Sequence, residues 1–356
     1  MTSTPHRRTA AALSAMMLAA GAWWLAPLSG QAPAPGTTPW TMPRTPDGHP
    51  DLQGTWSNAT ITPIDRPAGA PATYTPAQAA RLEKGYADRV DRLAQPSDPD
   101  RPAPPEGGDG STGAAGNVGG YNNFWVDPGE RVAVVNGEYR TSLIVDPPNG
   151  RVPPLSDEGR RRQAERLARL KTRGGEYDHP EFRPLAERCL MSFGSNAGPP
   201  MLPNYFYNNN YQIVQTKDAV MILVEMVHDV RVIRLNASEH PPAHIRPWMG
   251  DSIGHWEGDT LVVETTNFHP EQVFRGASDT LTVTERLTRT ADDTILYRFT
   301  VDDPHVWASA WSGEVPFRRT EDMIFEYACH EGNYALSNIL SGARAQEREA
   351  AAKKPQ

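Results

Sequence analysis

Between residues 205 and 334, apolar and β-branched residues recur at every second position in short runs, separated by brief polar turns. This two-residue period predicts strands over 205–216, 219–227, 231–235, 252–257, 260–266, 280–290, 294–302 and 314–329. Further pieces near 52–57 and 131–145 raise the count to about ten, enough to close a sheet on itself. The expected fold is therefore mainly β, an antiparallel up-and-down barrel of about 8–10 strands with peripheral helices. A two-sheet sandwich fits the same strand count.

Local signals fix several joints. Gly258-Asp259 is a hairpin turn that lets Trp256, Leu261 and Val263 share one face while Glu257 pairs with Thr260 on the other. Asn136-Gly137 is a second hairpin turn. The period changes from two to helical spacing over 76–93, opened by Thr75-Pro76, and over 157–171, opened by Ser156-Asp157-Glu158. The second helix is dense in Arg and Glu and is expected to be solvated on most of its surface.

Alternation also selects buried charges. In 281–289, Glu285 falls on the same face as the apolar Leu281, Val283 and Leu287, and meets Tyr297 and Phe299 if the loop is Ala291-Asp292-Asp293. A three-residue turn at 228–230 would set Glu225 and Arg231 diagonally adjacent, as a partly buried ion pair that either serves chemistry or only fixes register. The last strand would carry Met323, Phe325, Tyr327 and Cys329 on one face and end in a polar rim at His330 and Glu331.

Composition narrows the setting. A net charge of -8 with no basic stripe argues against nucleic acid as a partner. His6-Arg7-Arg8, an apolar run to Leu28 and small residues at 29–32 follow the order of a cleaved export signal over 1–31, with a membrane anchor as the alternative. After cleavage no stable membrane insertion is expected, and the location is periplasmic or secreted. A Pro-rich lead-in (32–50) precedes a single domain (51–342) containing a flexible loop at 95–120. A charged tail (343–356) follows. In an oxidising compartment the two cysteines, Cys189 and Cys329, favour a disulfide over two buried thiols.

For chemistry, seven histidines fall between 228 and 330 (His228, His240, His244, His255, His269, His305 and His330) without helical ligand spacing, so no cofactor is expected, with a metal site as the lesser alternative. Gly250-Asp-Ser-Ile-Gly254 has only a superficial likeness to an esterase nucleophile motif, because it enters a strand. What remains is an acid/base set: Glu225, His228 or His330 as acid or base, Arg231 as charge stabiliser and Glu285 as orienting group. Trp248, Trp256, Tyr297, Phe299, Trp307 and Trp311 would form an aromatic wall. An aromatic enclosure strips water from an ionisable group and brings its proton affinity toward neutrality, as proton transfer requires. That suits a lyase, dehydratase or isomerase acting on a small organic or sugar-like molecule. A ligand-binding protein without catalysis would use the same residues as anchors.

Three motifs carry a resemblance. Thr45-Pro-Asp-Gly-His-Pro-Asp-Leu-Gln-Gly-Thr-Trp56, Trp248-Met-Gly-Asp-Ser-Ile-Gly-His-Trp-Glu-Gly-Asp-Thr-Leu-Val-Val-Glu264 and Tyr327-Ala-Cys-His-Glu-Gly-Asn333 are together similar to a large family of exported bacterial proteins of unassigned function. That resemblance covers most of the mature chain and implies no activity. Gly54-Thr55-Trp56 separately resembles the first strand of lipocalin and calycin barrels, which implies a Trp plugging one end of the barrel.

Overall fold

The computed structural model describes residues 40–93, 100, 102, 128–172, 175–192, 198–203, 209–272 and 274–353. The apolar N-terminal run, most of 95–120 and residues 121–125 lie outside them. In chain order the elements are β1 (Gly54–Ser57), β2 (Thr73–Tyr74), α1 (Pro76–Leu93), β3 (Val134–Val135), β4 (Glu138–Arg140), β5 (Ile144–Asp146) and α2 (Asp157–Thr172). There follow β6 (Asn210–Gln215), β7 (Ala219–Val224), β8 (Val230–Arg234), β9 (Asp251–Glu257), β10 (Thr260–Thr266), β11 (Thr282–Ala291), β12 (Thr294–Asp302), β13 (Trp311–Arg319) and α3 (Ala335–Ala352). No described helix is long and apolar enough to cross a membrane.

Strands β1 and β6 to β13 form a closed ring in the order β1-β6-β7-β8-β9-β10-β11-β12-β13, sealed where Trp56 and Ser57 pair with Arg319 and Arg318. Strand β5 attaches to β13 beside the ring, and β2, β4 and β3 make a small separate sheet. The barrel is antiparallel except at one seam, where β8 runs parallel to β9 through Ile233↔Ser252 and Arg234↔Ile253. A chain that returns parallel needs a crossover, and residues 235–250 supply it.

The local turn chemistry decides much of this. Asn136 and Gly137 both have positive φ (53° and 79°), the geometry that matches the twist of a two-residue hairpin. Trp256 stands opposite Leu261 and Glu257 opposite Thr260, as the pattern around Gly258 requires. Glu285 faces Phe299 and Leu287 faces Tyr297, the register expected of a three-residue loop. Strand β11 nevertheless continues to Ala291, and a bulge between Arg289 and Ala291 absorbs the difference.

Two expected strands end early. After β7 the chain enters a tight 3-10 turn in which Val227 has φ 66°, so the β7–β8 connection spans 225–229 and pairs Ile222 with Arg231. That register carries Arg231 inward and separates it from Glu225, so the expected Glu225–Arg231 ion pair does not form. The last strand stops at Arg319 because β1 has closed the ring there and no free edge remains for 323–329. Met323 and Phe325 are consequently exposed, at 72% and 63%. The chain then forms α3, where a charged tail was expected from 343. Leu336, Ile339, Leu340 and Ala343 form its half-buried face, and no α3 residue is fully buried. Cys189 and Cys329 are disulfide-bonded.

The ring's inner face is filled with large side chains, among them Trp56, Tyr211, Tyr297, Phe299, Trp311 and Phe317, all essentially inaccessible to solvent. Trp56 stoppers one end, donating Nε1–H to the Leu52 carbonyl at 2.9 Å. The guanidinium carbons of Arg289 and Arg319 lie 5.6 and 5.7 Å from its ring. Arg289 in turn donates to the carbonyls of Asp51 and Asp292, both at 2.7 Å, binding the lead into β1 to the β11–β12 turn.

Candidate functional site

Arg231 and Glu285 anchor a closed network inside the barrel. Strand β8 aims Arg231 and β11 aims Glu285 at each other, with side chains 2% and 0% exposed. Arg231 grips Glu285 with both Nη atoms, the Nη1–Oε1 contact being 2.9 Å. Its Nε donates to Ser252 Oγ at 3.1 Å, and the Ser252 and Thr265 hydroxyls are 2.8 Å apart. Tyr297 donates its hydroxyl to Glu285 Oε1 at 2.8 Å and accepts from the Met201 amide at 2.9 Å. Burial, and then the Glu285 carboxylate, push the Tyr297 phenol well above its ordinary range, so it stays a neutral donor near neutral pH. Each charge is answered at hydrogen-bonding distance, as a buried pair must be if it is not to destabilise the fold. Met201, fully buried, meets this network through its amide, and Asn58 Nδ2 donates to the Met201 carbonyl at 3.2 Å.

The other sequence-predicted residues do not converge on it. Glu225 is buried at the end of β7, where it accepts from Asn210 Nδ2 at 3.0 Å and from the Phe325 amide at 3.2 Å, thereby tying down the C-terminal segment. The backbone of His228 lies in the 3-10 turn beyond Glu225, and its side chain is outside the described part of the structure. His330 is exposed beside Cys329. Tyr297, Phe299, Trp307 and Trp311 are packed core residues, with Trp311 meeting Phe299 and Trp307 edge to face. Trp256 stacks on His49 at 4.9 Å near the Trp56 end. Trp248 stands at the opposite end, against His269 at 3.9 Å and in a small cluster with Met249 and Met191.

That opposite end holds the open space. A groove of about 1350 Å³ lies outside the barrel, bounded by α2, the irregular 181–192 crossing, Gly198–Pro200 and the 270–277 loop. Its apolar surface includes Leu155, Phe182, Met191, Phe274 and Val306. Arg162, Arg166 and Arg169 also line it, one helical turn apart along α2, and Arg275 lines it from the 270–277 loop. Among the described residues, five non-glycine positions have positive φ, and four of these (Cys189, Val227, Asn267 and Arg275) belong to connections at this end. Such conformations cost of order 1–3 kcal/mol each and cluster where a surface is shaped for use.

Helix α2 is set against the groove by its first turn. Ser156 Oγ accepts from the Gly159 amide at 2.9 Å and donates to the His305 carbonyl at 3.2 Å, while Leu155 pairs with Trp307. Gly159 lies so close to the Val306 carbonyl that an added Cβ would stand 2.3 Å from its oxygen. His305 Nδ1 and Glu158 Oε2 are 2.9 Å apart. Their hydrogen bond raises the His305 pKa and lowers that of Glu158. The α2 arginines did not stand out in the sequence because an Arg/Glu-rich helix reads as solvated; their spacing at i, i+4 and i+7 was the available signal.

No protein-family model matches this chain, and neither the curated proteins nor the solved structures contain a significant match.

Proposed function

We propose that this is an exported protein that binds a small organic molecule in the groove between α2 and the 270–277 loop, and that the barrel is its rigid support. The observation that carries this reading is the division of labour between the two spaces. The groove is open and lined by both apolar and charged groups, whereas the interior Arg231–Glu285–Tyr297 network is buried and its members hydrogen-bond one another. An acid/base mechanism would need Glu225, Arg231, Glu285 and a histidine to meet one guest, and no arrangement of these residues favours that over binding alone. Export is supported by the charged-apolar-small order of 1–31, by the disulfide and by the motif likeness to exported bacterial proteins.

A thermal-shift screen against small organic molecules, repeated on two variants, tests the site. Gln163→Trp places bulk on the α2 wall of the groove, and Glu225→Gln removes the carboxylate of the acid/base set at the end of β7. Stabilisation by a ligand should be lost in Gln163→Trp and kept in Glu225→Gln. The reverse pattern would move the site into the barrel and revive the enzyme reading.

A further inference from the structure

Some of the described arginines are held firmly and others loosely. Arg183, which also lines the groove, is held by Glu187 through two bonds of 2.8 Å, with Glu176 a further 3.3 Å contact. Arg231 is held as firmly inside the barrel. Two of the groove arginines are held loosely: Arg162 is 3.9 Å from Glu158 and 3.8 Å from Asp279, and Arg275 is 3.7 Å from Asp65, all beyond hydrogen-bonding distance. Two of the four glutamates along the groove are already engaged, Glu176 by Arg183 and Glu271 by Arg188 at 3.1 Å. Glu165 and Glu181 are the other two.

Like charges one turn apart on a helix repel each other, so Arg162 and Arg166 side by side favour an anion, and Glu158 and Asp279 answer Arg162 only from 3.8–3.9 Å. A guanidinium presents a planar fork that matches carboxylate, phosphate or sulfate oxygens two at a time. The lining also includes the half-buried Leu155 and Phe182, which offer surface to a hydrocarbon or aromatic body, and the buried Met191 and Phe274. The volume of about 1350 Å³ exceeds the roughly 300–1,000 Å³ of ordinary small-molecule pockets, which leaves room for an elongated guest.

Building on the groove reading above, we propose that the ligand is an amphipathic organic anion. Its acidic head lies against Arg162 and Arg166, with Arg275 across the groove, and its apolar body lies along Phe182, Phe274 and Leu155. Arg162 and Arg166 are exposed on α2, so substituting them does not touch the core.

Titration calorimetry with decanoate, decanol and decylamine on the full-length protein tests the assignment. Decanoate should bind at least ten-fold more tightly than either analogue. Arg162→Gln/Arg166→Gln should abolish that preference with little change in melting temperature. Equal or tighter binding of decanol that is lost in Gln163→Trp would overturn the anionic assignment while leaving the groove as the site. Binding of none of the three would overturn the anionic assignment too, and if the thermal-shift screen also found no ligand, the groove reading would fall with it.

Discussion

Arg231 and Glu285, both placed in the acid/base set from sequence, hold each other in the structure. Glu285 was legible as a buried charge, because strict alternation on β11 leaves it no other face, whereas Arg231 was expected to pair with Glu225. What alternation could not supply was the partner, which depends on a five-residue connection whose Val227 adopts a backbone conformation foreign to β-branched residues. The pair's structural role has a sharp signature. Arg231→Met strands a carboxylate in the core and should cost about 3–5 kcal/mol, whereas Arg231→Met/Glu285→Met should recover most of that loss. Urea denaturation measures both, and a double variant as unstable as the single one would show that charge compensation is not what the pair provides.

At the scale of elements, the two-residue hairpins, helix α1 and the closed barrel could be read from sequence, whereas the β7–β8 turn and the point where the last strand stops could not. The 136–137 and 258–259 hairpins and helix α1 lie where their residues predict. The Met323-to-Cys329 run has the alternation of a strand yet joins no described sheet, since β1 already occupies the edge of β13. Helix α3 was overlooked although Leu336, Ile339, Leu340 and Ala343 keep helical spacing. Helix α2 yields a test of its own. The Glu158 bond raises the His305 pKa, so its contribution to docking is complete below the unfolded histidine pKa and fades as pH climbs through the raised value. The Glu158 contribution is present above the unfolded carboxylate pKa and is lost as pH falls through its lowered value. The helix should therefore sit most firmly in mildly acidic solution. An NMR titration should find His305 above the ordinary imidazole range of about 6.5, and Glu158→Gln should return it there; an unchanged midpoint in that variant would remove the pair as the cause.

Considered as a whole molecule, the protein is a barrel with a filled interior and a groove mounted at one end of it. The Trp56 end is locked by Arg289 and Arg319, while the opposite end gathers the strained backbone positions, the α2 arginines and the disulfide-linked crossing. The barrel itself is unevenly fastened. Seven residue pairs join β9 to β10, but only two join β8 to β9 and two join β1 to β13, where Arg289 and Arg319 over Trp56 brace the joint. A hoop loosens first at the small buckle that nothing braces. Deuterium uptake followed by mass spectrometry should therefore be faster in β8 and the first half of β9 than in β10 to β12, and uniform protection around the ring would mean that side-chain packing, rather than the count of ladder bonds, governs how the wall breathes.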